Sequence, residues 1–236
     1  MTSVLKSKLE IQSARNDMRR SGISCLTPWI RRRLHGLGVA SGVLVGDAIK
    51  SWDVLKTATF IRNRLPPETP VLDVGAYASE ILSVLHRMKY SNLAGVDLNP
   101  RIMEMPFSDP IRYEVADFMA TSFPNESFGA ITAISVIEHG FRSGRLLREI
   151  SRLLRSGGYF IASFDYWPEK VDTAGVDIFG MDWRIFSKAE VLAFIGEARD
   201  YGLTPCGEID LEAGERVIHW GGKYYTFAWL ALRKAV

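Results

Sequence analysis

Cysteine is nearly absent from this chain: two residues, Cys25 and Cys206, in 236. They lie far apart and form no C-x-x-C pair, which argues against a disulfide framework or a zinc site. Reduced thiols in a cytoplasmic protein are the reading that fits. Histidine is also scarce, at four residues, so few side chains can act as an imidazole base near neutral pH. No stretch approaches the roughly 18 consecutive apolar residues that span a bilayer. The start of the chain has no apolar core of a secretory signal. The net charge of +2 is too small to mark the whole chain as a nucleic-acid binder. Internal repeats and low-complexity tracts are missing as well.

The charge that is present is uneven. Residues 1–33 carry Lys6, Lys8, Arg15, Arg19, Arg20, Arg31, Arg32 and Arg33 against only Glu10 and Asp17. This basic start is open to several readings: a solvated helix face, a cover over a site, or a contact for an anionic acceptor such as a phosphate-bearing glycan, a nucleotide sugar or a lipid head group. Its acid-poor, Arg- and Ser-rich composition also faintly resembles an organelle transit peptide. With 47% apolar residues the chain can bury a substantial core, as one large domain or one domain with a small cap.

Hydrophobic periodicity orders the elements. Residues 3–20 read as a surface helix or arm. Pro28 opens a short helix through Arg33, and Asp47 caps another that runs to about Arg64. Pro66, Pro67 and Pro70 stop it. Strands at 71–74, 93–96, 111–115, 128–135 and 159–164 then alternate with helices at 80–88 and 146–154, the pattern of a parallel sheet covered on both faces. Ser187 with Glu190 forms a capping box for a helix from 188 to about 199. Two late strands, 203–211 and 224–232, suggest an antiparallel edge. The expected fold is α/β, with residues 1–65 a helical extension or cap and 66–236 the main domain.

Three of the strands end in a carboxylate: Asp73, Asp97 and Asp117. Gly75 permits a turn with positive φ and close approach of a ligand. Asp97 follows it by about 20 residues, the spacing of an acid that takes vicinal ribose hydroxyls. Asp117 can accept from an exocyclic amine, and Phe118 beside it can stack on a base. A single Asp at a strand end often only caps the next turn. Three in register on successive strands favour a nucleoside-like ligand.

These residues also carry a family resemblance. The chain from about 70 to 165 resembles a class I S-adenosylmethionine-dependent methyltransferase through VLDVGAYAS (71–79), AGVDLNP (94–100), VAD (115–117), FPNESFGAITAISVIEHG (123–140) and LLREISRLLRSGGYFIAS (146–163). The resemblance implies a doubly wound, Rossmann-like sheet of about seven strands, mostly parallel with an antiparallel edge strand, and S-adenosylmethionine as cofactor. It sets Asp73, Gly75 and Tyr77 around the methionine moiety, Asp97 and Leu98 at the ribose, Asp117 and Phe118 at the adenine, and Ser135 near the reacting methyl group. The family pattern Asp-x-Gly-x-Gly-x-Gly is broken at its second and third glycines, which fall on Tyr77 and Ser79. A bulky residue at positive φ costs on the order of 1 kcal/mol or more, so the loop is expected to follow a path of its own.

For chemistry, His139 after the fourth strand and His219 between the late strands are the candidate bases; each is equally open to a structural role. No metal site is expected. Aromatics gather late, at Tyr166, Trp167, Phe179, Trp183, Trp220, Tyr224, Tyr225 and Trp229. They can stack on a sugar face or flat ring, or pack a lid or a homodimer contact. The reading that results is methyl transfer, at oxygen, to a small-molecule or glycan-type acceptor, with no nucleic acid partner. Two alternatives stand beside it: a non-catalytic methyltransferase fold that binds a partner, and an NAD-dependent dehydrogenase or epimerase. The second is weakened because only Gly75 of G-x-G-x-x-G is present and Asp73 would face a pyrophosphate.

Overall fold

Strand and helix alternate through the computed structural model, which describes residues 1–178 and 180–236; Phe179 lies outside the described residues. The chain divides into two units, Ile11–Phe118 and Met1–Glu10 with Met119–Val236.

Helix α1 (Lys8–Arg20) leads into the unit Ile11–Phe118, followed by α2 (Trp29–Gly36), α3 (Ser51–Arg62), β2 (Val71–Val74), α4 (Ile81–Arg87), β3 (Leu93–Asp97) and β4 (Ile111–Val115). Strand β1 (Thr2–Val4) belongs to the other unit. Asp47 does cap: its carboxylate accepts from the Ile49 amide at 3.2 Å, opening the short 3-10 turn Ala48–Lys50 that feeds α3. Every residue of β2 is buried, as a strand packed on both faces demands. β2, β3 and β4 pair in parallel, with Asp73 opposite Gly95 and Asp97 opposite Val115. Each acid therefore stands about two residues further along its strand than the level reached by its predecessor.

Gly95 is fixed by packing. A Cβ there would lie 2.8 Å from the Ala76 Cβ, 2.9 Å from Leu82 and 3.0 Å from Tyr113. The N-terminal segment of this unit is clamped to the start of α4. The guanidinium of Arg15 forms a buried, two-pronged pair with Glu80 at 2.8 and 2.7 Å and also donates to Ser24 and Ser51. The Cys25 amide completes the Glu80 shell at 2.7 Å.

The second unit holds β1 (Thr2–Val4), β5 (Phe128–Ile134), α5 (Ser143–Leu153), β6 (Leu154–Tyr166), the short ribbon β7 (Asp177–Ile178) and β8 (Met181–Asp182), α6 (Lys188–Asp200), β9 (Leu203–Pro205), β10 (Ile218–Trp220) and β11 (Lys223–Lys234). β5 and β6 are parallel. β11 runs antiparallel to β6 and also pairs antiparallel with β1, β9 and β10. The architecture is thus the expected α/β one, with parallel strands and an antiparallel edge. The capping box of Ser187 and Glu190 is present at the head of α6.

Three expectations change. The helix read over 3–20 begins only at Lys8, because Thr2 and Val4 face inward as a strand on β11. The strand read over 203–211 stops at Pro205, a residue with no amide hydrogen to extend the ladder. The last strand gains a partner, β10, through a hairpin at Gly221 and Gly222, both at positive φ, as a two-residue hairpin turn requires. Four of the late aromatics, Tyr166, Trp183, Tyr225 and Trp229, are buried core residues.

Candidate functional site

In the unit Ile11–Phe118 the structure brings Asp73, Gly75, Tyr77 and Asp97 together at the carboxyl ends of β2 and β3. Gly75 takes φ +70°, and its amide and that of Ala76 both donate to the Val96 carbonyl, at 2.9 and 3.1 Å. The carboxylate of Asp97 accepts from the Tyr77 amide at 3.0 Å and from the Asn99 amide at 2.8 Å. This one side chain shapes both the turn after β2 and its own. Each oxygen keeps a lone pair for a further donor.

Tyr77 itself is not at positive φ. The residue at positive φ is Ala78, at +61°; a small side chain bears that conformation at less cost than tyrosine. Ala78 is held on both sides, its amide facing the Met105 sulfur at 3.2 Å and its carbonyl accepting from the Gly46 amide at 2.8 Å. Residues before α3 thus brace the cofactor-loop candidate from within the same unit. Asp73 is buried, Asp97, Asp117 and Phe118 are half-buried, and Leu98 is exposed. Behind them the phenol of Tyr113 is pushed above its ordinary value, first by burial and then by the charge of Asp73. An acid-lined, open strand edge with apolar Leu98 and Phe118 beside it fits a cationic nucleoside better than an anionic one.

Cys25, next to the Arg15–Glu80 pair, has its thiol pushed from 9.0 up to about 11, mainly by burial. The folded chain therefore holds that proton more tightly than the unfolded chain. The resulting stabilisation is intact below about pH 9 and is lost as pH climbs toward about 11. Thermal midpoints measured across that range should fall, and Cys25→Ser should make the fall shallower; an unchanged slope would remove the thiol as its source.

In the other unit, Ser135 follows β5 at φ +54°, an uncommon conformation for a residue other than glycine, and its amide donates to the Ser163 carbonyl at 2.9 Å. The turn after it is stitched by backbone bonds: His139 to Val136, Gly140 to Asp182, and Arg184 to Glu138. His139 is half-buried and bridges Trp183 through its backbone. His219 is exposed and stacks on Tyr224, ring centroids 4.1 Å apart. Between these histidines lies a cluster that sequence reasoning did not assemble. The Trp183 indole donates to Asp165 at 2.8 Å. Trp220 and Tyr225 pack edge-on against Trp183 at 5.3 and 5.8 Å. Burial, then the charges of Asp165 and Glu138, push the Tyr225 phenol far above its ordinary value. Glu138 and Asp165 are both almost wholly buried. The places of Glu138 in the turn after β5 and of Asp165 at the end of β6 were the only sequence signal. Among the described residues no group of three or more His, Cys, Asp or Glu side chains converges as a metal site.

A mostly parallel sheet with an antiparallel edge, whose strands end in carboxylates beside a glycine turn, is a Rossmann-like fold with its site at the carboxyl ends of the strands. Residues 72–162 match the family described as "Methyltransferase domain". Over 104 residues it is 31% identical to the sterol 24-C-methyltransferase of Yarrowia lipolytica, covering 41% of this chain and 27% of that protein. Over 130 residues it is 28% identical to the 2-methyl-6-phytyl-1,4-hydroquinone methyltransferase of Synechocystis sp., covering 53% and 38%. The chain thus spans well under half the length of these two relatives. Among solved structures it resembles geranyl diphosphate C-methyltransferase from Streptomyces coelicolor, a complex containing S-adenosyl-L-homocysteine, with TM-score 0.58 and 18% identity over 94% of this chain and 98% of that one. That likeness is one of fold.

Proposed function

We propose that this chain is an S-adenosylmethionine-dependent methyltransferase that acts on a small-molecule acceptor. The observation that carries the reading is the acid-lined edge of β2–β4, where Asp97 ties down the Gly75–Ala78 turn and still has acceptor capacity for ribose hydroxyls. Asp73, Gly75 and Tyr77 surround the methionine end, Asp97 with Leu98 the ribose, and Asp117 with Phe118 the adenine. A bound S-adenosylmethionine supplies an electrophilic methyl group on a sulfonium. The protein's part is to hold the acceptor in line with it, which accounts for most of the rate gain in such displacements. Ser135 stands at the β5 end as the residue assigned beside the methyl group. His139 and His219 are the candidates to take a proton from a hydroxyl acceptor.

The sequence favoured oxygen and a glycan-type acceptor. A second reading rests on Trp220, which is exposed and packs edge-on over the buried Trp183, with Tyr225 also against Trp183, so that the Trp220 ring offers a flat apolar wall. It favours an apolar or ring acceptor of the kind named for the sterol, phytyl hydroquinone and geranyl diphosphate relatives. Methylation assays with both acceptor types, followed by locating the new methyl group, decide between them.

Cofactor binding is tested by calorimetric titration with S-adenosylmethionine, S-adenosylhomocysteine and NAD. The wild type should bind the first two and not NAD, and Asp97→Ala should weaken binding about tenfold or more, about 1.4 kcal/mol. Binding of NAD alone would make the dehydrogenase reading the better one. A folded protein that binds none of them would be a methyltransferase fold turned to partner binding.

A further inference from the structure

Helix α2 buries none of its residues. Trp29, Ile30 and Leu34 on it, and Leu37 and Val39 just beyond, are exposed, with Trp29 at 69%, Leu37 at 71% and Val39 at 73%. Five large apolar side chains in so short a segment exceed the scattered exposure of an ordinary surface. The helix is nonetheless held in a fixed orientation. Arg32 turns back into the fold, where its guanidinium donates to the carbonyls of Thr27 at 3.1 Å, Val45 at 2.9 Å and Gly46. At about 100° per residue, Ile30 and Leu34 fall on the side opposite Arg32, with Leu37 following the same face. The anchored side is therefore the arginine side, and the apolar side is the one turned outward.

The charge around this face has one sign. From residue 18 to residue 46 the chain carries Arg19, Arg20, Arg31, Arg32 and Arg33 and not a single Asp or Glu. Arg31 and Arg33 are exposed beside the apolar side chains. Aliphatic residues on one face with arginines at its border, and an exposed tryptophan at the start of the helix, are the composition of a helix that lies in a membrane interface. The cations add attraction to an anionic leaflet. A second copy of the chain suits this face poorly, because a symmetric pairing would bring the same arginines together. No helix among the described residues is long and apolar enough to cross a membrane.

We infer that α2 and the turn after it, with Ile30, Leu34 and Leu37 as the inserting residues and Arg31 and Arg33 at the rim, form a docking surface for an anionic lipid bilayer. The inference is independent of methyl transfer, since it concerns a surface that can be tested without cofactor or acceptor. The test is co-sedimentation of the full chain with phosphatidylcholine vesicles, with and without phosphatidylglycerol. Binding should require the anionic lipid. Ile30→Ser with Leu37→Ser, and separately Arg31→Glu with Arg33→Glu, should each weaken it about tenfold or more. Both pairs are exposed, so circular dichroism and thermal midpoints should match the wild type and confirm folding. Absence of vesicle binding by the wild type would overturn the inference. So would binding indifferent to Ile30 and Leu37, or a dimer seen by light scattering that the same serine variants dissolve without any vesicle binding.

Discussion

Glu80→Ala should destabilise the protein by about 3–5 kcal/mol, the range for removing one partner of a buried ion pair, and should do so more than any surface change. Arg15 and Glu80 are both almost fully buried and meet at 2.7 Å. Without the carboxylate, the guanidinium is left in a dry site with only the hydroxyls of Ser24 and Ser51. The Cys25 amide loses its acceptor at the same time. A second effect follows from position. Glu80 is the residue before α4, directly after the loop that Asp97 shapes, so affinity for S-adenosylmethionine should fall along with stability. Urea unfolding and calorimetric titration read the two effects separately. The double variant Arg15→Met with Glu80→Leu should recover much of the stability, because it removes both charges. If the double variant is no more stable than Glu80→Ala, packing and not an orphaned charge is the cause.

Gly95→Ala is expected to cost about 1–3 kcal/mol as an overpacking change, although alanine is normally the gentler residue in a strand. The new Cβ would press on the Ala76 Cβ at 2.8 Å. That atom is attached directly to the backbone of the loop after Gly75 and cannot swing aside. Leu82 at 2.9 Å and Tyr113 at 3.0 Å close the other directions. Relief must come by shifting residues 75–78, which would pull the Tyr77 amide from Asp97. Cofactor affinity should drop in Gly95→Ala even at temperatures where the variant is fully folded. A wild-type urea midpoint combined with wild-type affinity would show that the strand edge has slack the structure does not suggest.

The strand edge could be read from the sequence because a buried parallel strand is a nearly unbroken apolar run, and the Asp that ends it stands out. That is how 71–74, 93–97 and 111–115 became visible together with their acids. The Ser187–Glu190 box was legible for the same reason: both partners lie within one helical turn. What escaped is built from residues distant in sequence. Arg15 and Glu80 are 65 positions apart, and nothing local marks either as a partner. Asp165, Trp183 and Tyr225 meet only because β6, the loop after β8 and β11 fold together. β1 is three residues long, too short for alternation to show. The broken glycine pattern gave the right warning about Tyr77, but only the backbone could reveal that Ala78 bears the positive φ.

The pairing of β1 with β11 has a consequence for the order in which the protein can be made. Thr226 donates its hydroxyl to the Leu5 carbonyl across 221 positions, and the ladder beside it joins Thr2 to Leu230. On the ribosome, residues 11–118 are all made before residues 119–236 follow. Strand β1 must wait, unpaired, until β11 (Lys223–Lys234) has been made. Contacts of such separation close slowly. A chain stopped short of residue 223 would emerge with Thr2–Val4 as an edge in search of a partner.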